Sequence, residues 1–447
     1  MSVSSKSPLT TDDAPHTGPV EAPLVLTTEP PRPLGFLDQL ATWGNFGISL
    51  FGPLTGALVA TTTGSVAEGI GAIVVGCVLG AVLLGASAVF GTVTGAPAMV
   101  ALRGLFGRRG SIVPTILNIG QNIGWATMEI IVISTAAVAV IGQAWRWPFV
   151  LLAGAAATVM AVRPLGSVRL LRKVMVWLVL AASVFLFVEV LLRPRQAIPQ
   201  DGVLGFWPAV DLAVAGVVSF APLAADYSRH SRTSSAAFWG SSLGYGLAAV
   251  AYYTLGVFAV ANLGASDVIG ALVALPAGAV ALGILLVDEV DEAFANVYST
   301  TMSVQNLLPR LDRRYVAVAV GIIATLLAGL LDFSRYQSFL FLIGSVFVPL
   351  FAVATVDFYL VSRQRWDVSA RSRLRATPVI AWACGFVAYQ LVYPGDVPGW
   401  ADFWAGLAKM IGFSAPTWLG SSVAAIGVGG LAMLILGYAG RAVRTRS

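Results

Sequence analysis

The stretch Asp288 to Ser299, DEVDEAFANVYS, places four carboxylates within five residues, directly after eighteen uncharged residues, Gly270 to Val287. Acids grouped in this way can hold a cation or trade a proton. At 100° per residue Asp288, Asp291, Glu292 and Ser299 share one helix face, with Glu289, Asn296 and Ser303 on the adjacent strip. Apolar side chains, among them Val287, Val290, Phe294 and Val297, cover the remainder. If this helix crosses a membrane from Gly278, Glu292 falls near the midplane. An acid facing lipid at that depth costs about 2.5–3.5 kcal/mol even on the lenient insertion scale. The polar half must therefore face a cavity or another helix.

Composition supports that setting. The chain of 447 residues is 57% hydrophobic and 11% charged, with a mean hydropathy of +0.82, whereas an ordinary globular chain carries roughly 25% charged residues. The expected fold class is therefore an all-α polytopic membrane protein. Apolar runs of crossing length fall at about 45–63, 69–93, 112–141, 147–163, 174–192, 207–226, 239–262, 278–306, 315–331, 336–361, 378–393 and 418–440, which predicts twelve spans. With those boundaries, 22 of the 27 basic residues fall on one side. Arg146, Arg193, Arg195, Arg335 and Lys409 form the remainder. The positive-inside rule then puts both termini in the cytoplasm of a multi-pass protein of the cell (plasma or inner) membrane. The net charge of +5 follows from topology, so nucleic acid is not expected as a partner.

Residues 1–35, rich in Ser, Thr, Pro and Asp, read as a disordered cytoplasmic tail without the pattern of a cleaved leader. Residues 36–441 form the transmembrane domain, and 442–447 a short C-terminal tail. Cys77 and Cys384 both lie in apolar runs, which supports neither a disulfide framework nor a cysteine metal site. Span 1 carries Gly52-Pro53 at mid-depth and span 6 carries Pro222. Proline removes a backbone donor and breaks a helix, and the freed groups can be satisfied by a substrate or an ion where lipid offers nothing. Breaks at a five-span offset predict an inverted repeat with the binding site between its halves. Those halves run over about 41–195 and 205–362, followed by extra helices at about 376–441.

Three segments then carry a resemblance. SFAPLAADYSRHSR in span 6, LNIGQNIGWATMEI in span 3 and FANVYSTTMSVQN in span 8 resemble, in order and spacing, the nucleobase:cation symporter family of cytosine and purine-cytosine permeases, from about Gly35 to the last span. The resemblance implies the leucine-transporter-type fold, with five plus five inverted helices and two more. It implies import of a small heterocycle of the cytosine/purine class with H+ or Na+ as the coupling cation, by alternating access. No other cofactor, no metal and no enzyme activity are expected, and the protein is expected to be a monomer. Carried over residue by residue, Gln121 and Trp125 become the substrate's hydrogen-bonding amide and stacking plate. Asn122 is a rival amide, Ser219 and Phe220 flank the break of span 6, and Asn296 joins the substrate shell.

For the coupling ion the candidates are Asp291 and Glu292, with Asp288 and Gly52. Sodium-coupled members of the family hold Na+ with short hydroxyl side chains of span 8. Here Asp291 and Glu292 align at those positions, which favours the proton over sodium. Glu289 is expected to matter less than Glu292. Glu129, one turn beyond Trp125, fits a relay or a helix contact equally well, and Asp226 fits an end-of-helix ion pair or a gate beside Arg229. The alternatives are a carrier of allantoin, hydantoin or a thiamine-precursor pyrimidine on the same fold and, remotely, a Mg-dependent intramembrane prenyltransferase suggested by the DExxDE spacing.

Overall fold

The computed structural model describes residues 30–162, 169–200, 202–264, 267–308 and 311–444. Residues 1–29 of the tail expected at 1–35, residues 445–447 of the tail expected at 442–447, and the side chain of Asp291 lie outside the described residues. The chain forms eighteen α-helices and, among the described residues, no sheet. In order they are α1 (Phe36–Phe46), α2 (Phe51–Thr63), α3 (Val66–Thr94), α4 (Ala98–Ala101), α5 (Arg103–Gly110), α6 (Ile112–Ile141), α7 (Arg146–Val162), α8 (Arg169–Leu191) and α9 (Phe206–Val218). There follow α10 (Ala221–Ser228), α11 (Ser234–Leu263), α12 (Val268–Val273), α13 (Gly278–Leu307), α14 (Arg313–Leu330), α15 (Tyr336–Val356), α16 (Ala376–Val392), α17 (Trp400–Met410) and α18 (Ser421–Arg444). In lipid only a helix satisfies its own backbone, so apolar runs of this length fold this way.

Among the described residues, eight crossings stand on length and apolarity alone, with the bent pair α1 and α2 counted as one. The segments expected as spans 5, 9 and 11 contain shorter apolar helices. Span 8, α13, has the length with 30 residues, but its acids set it apart from the others. The short helices α4, α5, α12 and α17 lie between apolar runs and leave no such signal.

The halves exchange contacts as an inverted repeat should. Helix α3 packs on α11, α6 on α13, and α7 on α14, so each span meets the one five places along. The α1–α2 pair lies along α11, and α9 with α10 lies along α3 in the matching manner. Helices α16 and α18 pack on one another and on α15, outside that arrangement.

The break of span 1 is displaced from the position that its proline suggests. Helices α1 and α2 meet at 62° across Gly47 to Leu50, and Gly52-Pro53 stand in the first turn of α2. Proline is tolerated in a first turn because its missing N–H has no intrahelical partner there, so it starts the second half-helix instead of interrupting it. In span 6 the interruption falls where expected. Ser219 and Phe220 separate α9 from α10, and Pro222 opens α10.

Small residues let α2 and α11 approach closely. A Cβ on Gly56 would strike the carbonyl oxygen of Tyr253, and one on Gly256 the carbonyl of Pro53. Both neighbours are backbone, which cannot rotate away. Gly256→Val should therefore lower stability by about 1–3 kcal/mol, read as an earlier thermal melt in detergent. Gly120, with nothing within 4 Å of its Cβ position, should accept alanine without loss.

Candidate functional site

Helix α13 presents an inward stripe of Glu289, Glu292, Asn296, Ser299, Ser303 and Asn306, all buried. Its alternating spacing of three and four residues keeps one side of a helix facing its neighbours. The partners can be followed down the stripe. Asn306 accepts from Arg103 Nε at 2.7 Å and donates to Thr115 at 2.8 Å. Ser303 accepts from Asn118 at 2.9 Å. Ser299 donates to Asp226 at 2.5 Å, and Asn296 donates back to the Glu292 carbonyl at 3.3 Å. The acids therefore head a seam of paired polar groups running between helices.

At the top of that seam the carboxylate of Glu289 accepts a hydrogen bond from the Leu50 amide, with the Ser49 hydroxyl at 3.4 Å. Leu50 is the N-cap of α2 and its own side chain makes no capping hydrogen bond, while the neighbouring Ser49 Oγ accepts from the Phe51 amide at 3.1 Å. A helix N-terminus leaves its first amides without partners and carries partial positive charge. Glu289 answers both, from 239 residues away in sequence. The sequence reading gave Glu289 less weight than Glu292. Tertiary structure instead puts it in the break of span 1, because residues three apart are neighbours on a helix.

Glu129 completes the group. One carboxylate oxygen from each of Glu129, Glu289 and Glu292 lies within 4.8 Å of the others, and all three side chains are buried. At an effective dielectric of about 20, two unit charges 4.8 Å apart repel by about 3.5 kcal/mol. Three full negative charges therefore require a proton or a metal cation among them. Glu129 Oε2 and Glu292 Oε1 have no hydrogen-bond partner.

These two acids line a cavity of about 20 Å³ with Gly47, Ser49, Phe51, Gly52, Trp125, Gly216, Phe220, Tyr245, Tyr253 and Tyr336. Such a volume holds roughly one water molecule, whereas small-molecule pockets run to roughly 300 Å³ or more, so a ring can enter only if these walls move. Trp125 is boxed edge-on by Phe51 at 5.2 Å, Phe339 at 5.3 Å and Tyr336 at 6.0 Å. Tyr336, hydrogen-bonded to Thr55 at 2.7 Å, also lines a neighbouring cavity of about 490 Å³ beside α12. Tyr336 thus lines both the small chamber and the large one.

Of the residues singled out from sequence, Trp125, Phe220, Glu292 and Gly52 line the small cavity. Gln121 is turned to the break of span 6, where its Nε2 donates to the Ser219 carbonyl at 2.8 Å and to Asn118 at 3.2 Å, while its Oε1 has no partner. The Ser219 hydroxyl is used locally, on the Gly216 carbonyl at 2.6 Å. Asn122 is fully buried with both amide atoms unpartnered. It does not line the cavity, and neither do Asn296 and Asp288. Glu129 was the acid for which the sequence left two roles open; its spacing of four residues from Trp125 was the available signal.

Asp226, which the sequence left between an end-of-helix ion pair and a gate, makes hydrogen bonds to two other helices. It accepts from the Ala98 amide at 2.8 Å, which opens α4, and from Ser299, and so pins α10 to α4 and α13.

A bundle with inverted-repeat packing, two interrupted helices and a buried polar chamber between the halves defines a secondary transporter. The comparisons agree. The family model described as permease for cytosine/purines, uracil, thiamine, allantoin matches residues 42–388, and the chain belongs to this family of transporters and is not an enzyme. That membership sets aside the prenyltransferase alternative. The cytosine permease of Escherichia coli (strain K12) is 26% identical over 336 residues, which is 72% of this chain and 77% of the relative. A putative purine-cytosine permease of Bacillus subtilis (strain 168) is 23% identical over 409 residues, 86% of this chain and 89% of that one. Among solved structures, the inward-facing conformation of Mhp1 matches with a TM-score of 0.70 at 17% identity, covering 96% of each chain. Mhp1, a nucleobase-cation-symport-1 family transporter, in a closed conformation with bromovinylhydantoin bound matches at 0.68 and 16%, over 94% of this chain and 96% of that one. A manganese transporter of Eremococcus coleocola matches at 0.53 and 15%, over 93% and 98%.

The role of Asp226 can be checked directly. Asp226→Ala leaves a buried amide and a buried hydroxyl without their acceptor, a loss of about 1–3 kcal/mol for each group. Folded yield and melting temperature should both fall, and Asp226→Asn, which keeps one acceptor oxygen, should fall less. An alanine variant that melts with the wild type would show that the contacts contribute nothing.

Proposed function

We propose that the chain imports a nucleobase or related small heterocycle of the cytosine/purine class by symport with H+, through alternating access around the breaks of spans 1 and 6. One observation carries the choice of ion: Glu129, Glu289 and Glu292 converge on the break of span 1, and Glu129 and Glu292 line a cavity with no lysine, arginine or histidine in its lining. A proton neutralises such a group with the least rearrangement. Glu289 is engaged by the amide at the head of α2, which leaves Glu129 and Glu292 as the pair between which the proton moves. Trp125 supplies the flat face for the ring, with Phe220 on the opposite half. Both termini face the cytoplasm in this reading, in keeping with the distribution of basic residues, and the protein works as a monomer in the cell membrane.

A second reading has its own support. Three carboxylate oxygens within 4.8 Å of one another could also surround Na+, with carbonyls of the opened segment of span 1 completing the shell. In that case transport requires Na+ at every pH. In the proton reading, uptake acidifies the cell side, collapses with the proton gradient and ignores Na+. Glu292→Gln keeps size and hydrogen bonding but cannot titrate. It should lose uphill accumulation of labelled heterocycle while retaining exchange in proteoliposomes. Undiminished accumulation by that variant, or a strict Na+ requirement of the wild type, overturns proton coupling.

A further inference from the structure

The chemistry of the small chamber bears on which heterocycles it accepts. Its unpartnered acidic atoms are Glu129 Oε2 and Glu292 Oε1, and beside them the Trp125 indole N–H is also without a partner. The amide expected to read a lactam edge, Gln121, spends its donors on Asn118 and on the Ser219 carbonyl. A ring laid against Trp125 would bring its edge to the side chain one helical turn along the same face, which is Glu129. The groups around the two carboxyls are Glu289 and Asp288 on α13, Tyr245, Tyr252 and Tyr253 on α11, Tyr336 on α15 and Ser49 in the break of span 1. None of these is a cation.

We propose that Glu129, together with Glu292, is the specificity-determining pair and reads an amidine edge, a ring nitrogen flanked by an exocyclic amino group, so that the site selects amino-substituted heterocycles over their oxo counterparts. The inference rests on the transporter reading above and narrows its substrate class. One of the two free oxygens accepts from the amino N–H while the ring nitrogen and the other free oxygen share a proton, either as N···H–O or as N–H⁺···O⁻. Both forms are two-point pairs, and the second is charge-assisted, of the kind that gives strong planar recognition. An oxo ring offers a carbonyl where the amino group stood. Against an ionised carboxylate that oxygen faces an acceptor, and against a protonated one it pairs without charge assistance, because the oxo ring is too weakly basic to take the proton. A site built to hydrogen-bond one group discriminates strongly against an analogue that leaves buried polar atoms unpaired. Proton and ring then occupy one hydrogen-bonded unit, which would make binding tighter as pH falls.

Two isosteric pairs test this: adenine against hypoxanthine and cytosine against uracil, as competitors of labelled uptake and as ligands of the purified full-length protein by calorimetry, at acidic and alkaline pH. The amino ring of each pair should bind at least about 10-fold more tightly, corresponding to one lost buried hydrogen bond, and the ratio should widen at acidic pH. Glu129→Gln, which cannot carry the shared charge, should bring the calorimetric ratio towards unity. If oxo rings bind as well as or better than their amino partners in the wild type, the inference is overturned and the heterocycle transporter stands. If the ratio survives Glu129→Gln in a variant that melts like the wild type, Glu129 is not the reader. If none of the four rings binds or competes at either pH, the nucleobase reading itself falls, and the inference with it.

Discussion

The structure turns on one hydrogen bond, from the Leu50 amide at the head of α2 to the carboxylate of Glu289 on α13. A membrane helix can be opened at mid-depth only if the groups it frees find partners inside the protein. Here the partner is an acid, which also meets the positive end of the half-helix dipole. That choice has consequences. Once one carboxylate is committed to the backbone, a second at the next turn of α13 and a third on α6 share its surroundings, and their mutual repulsion has to be relieved by whatever positive charge the transport cycle supplies. Closure of span 1 and the charge state of the chamber are thereby linked in one place.

Below that point the seam between α6 and α13 behaves differently. Asn118, Ser303, Asn306, Thr115 and Arg103 pair with one another, and Asp226 spans three helices by accepting from two donors. These groups are buried and satisfied, so they hold the helices in register and have no spare valence for a ligand. Unsatisfied buried atoms occur beside the chamber and the break of span 6, at Gln121, Asn122, Trp125, Glu129 and Glu292, and also away from them, at Arg229, Asn262, Thr355, Tyr389, Trp404, Ser421 and Ser422. Buried polar groups are normally paired, and those that are not call for an explanation. Of these, Trp125, Glu129 and Glu292 line the small chamber, where an incoming group can reach them.

The aromatic side chains give the chamber its shape. Phe51, Trp125, Tyr336 and Phe339 meet edge to face or tilted at 5–6 Å between ring centroids, and they come from α2, α6 and α15. Because each ring leans on one from another span, movement of α15 about Tyr336 would disturb the Trp125 face. Such packing ties the position of α15 to that of the Trp125 ring.

Much of this was legible in the sequence because it follows from local rules. Apolar length set the helices α6 and α13 to within a residue or two, Pro222 marked the break of span 6, and the acids of α13 announced a polar interior. The segments around span 6, span 3 and span 8 were enough to suggest the family. What escaped were the choices that depend on distant neighbours. Pro53 signalled an interruption, but whether it broke a helix or began one depended on the turn of chain before it, where Gly47 and a tertiary carboxylate made the opening possible. Glu289 and Glu292 differ little on a helical projection, and only the packing of α13 against the opened span gave one of them the Leu50 amide. Gln121 had the right chemistry to hold a substrate, yet the carbonyl freed at Ser219 lay within its reach. Periodicity fixes which side chains share a face; which of them meet a broken backbone and which meet the chamber is decided by how the two halves close on each other.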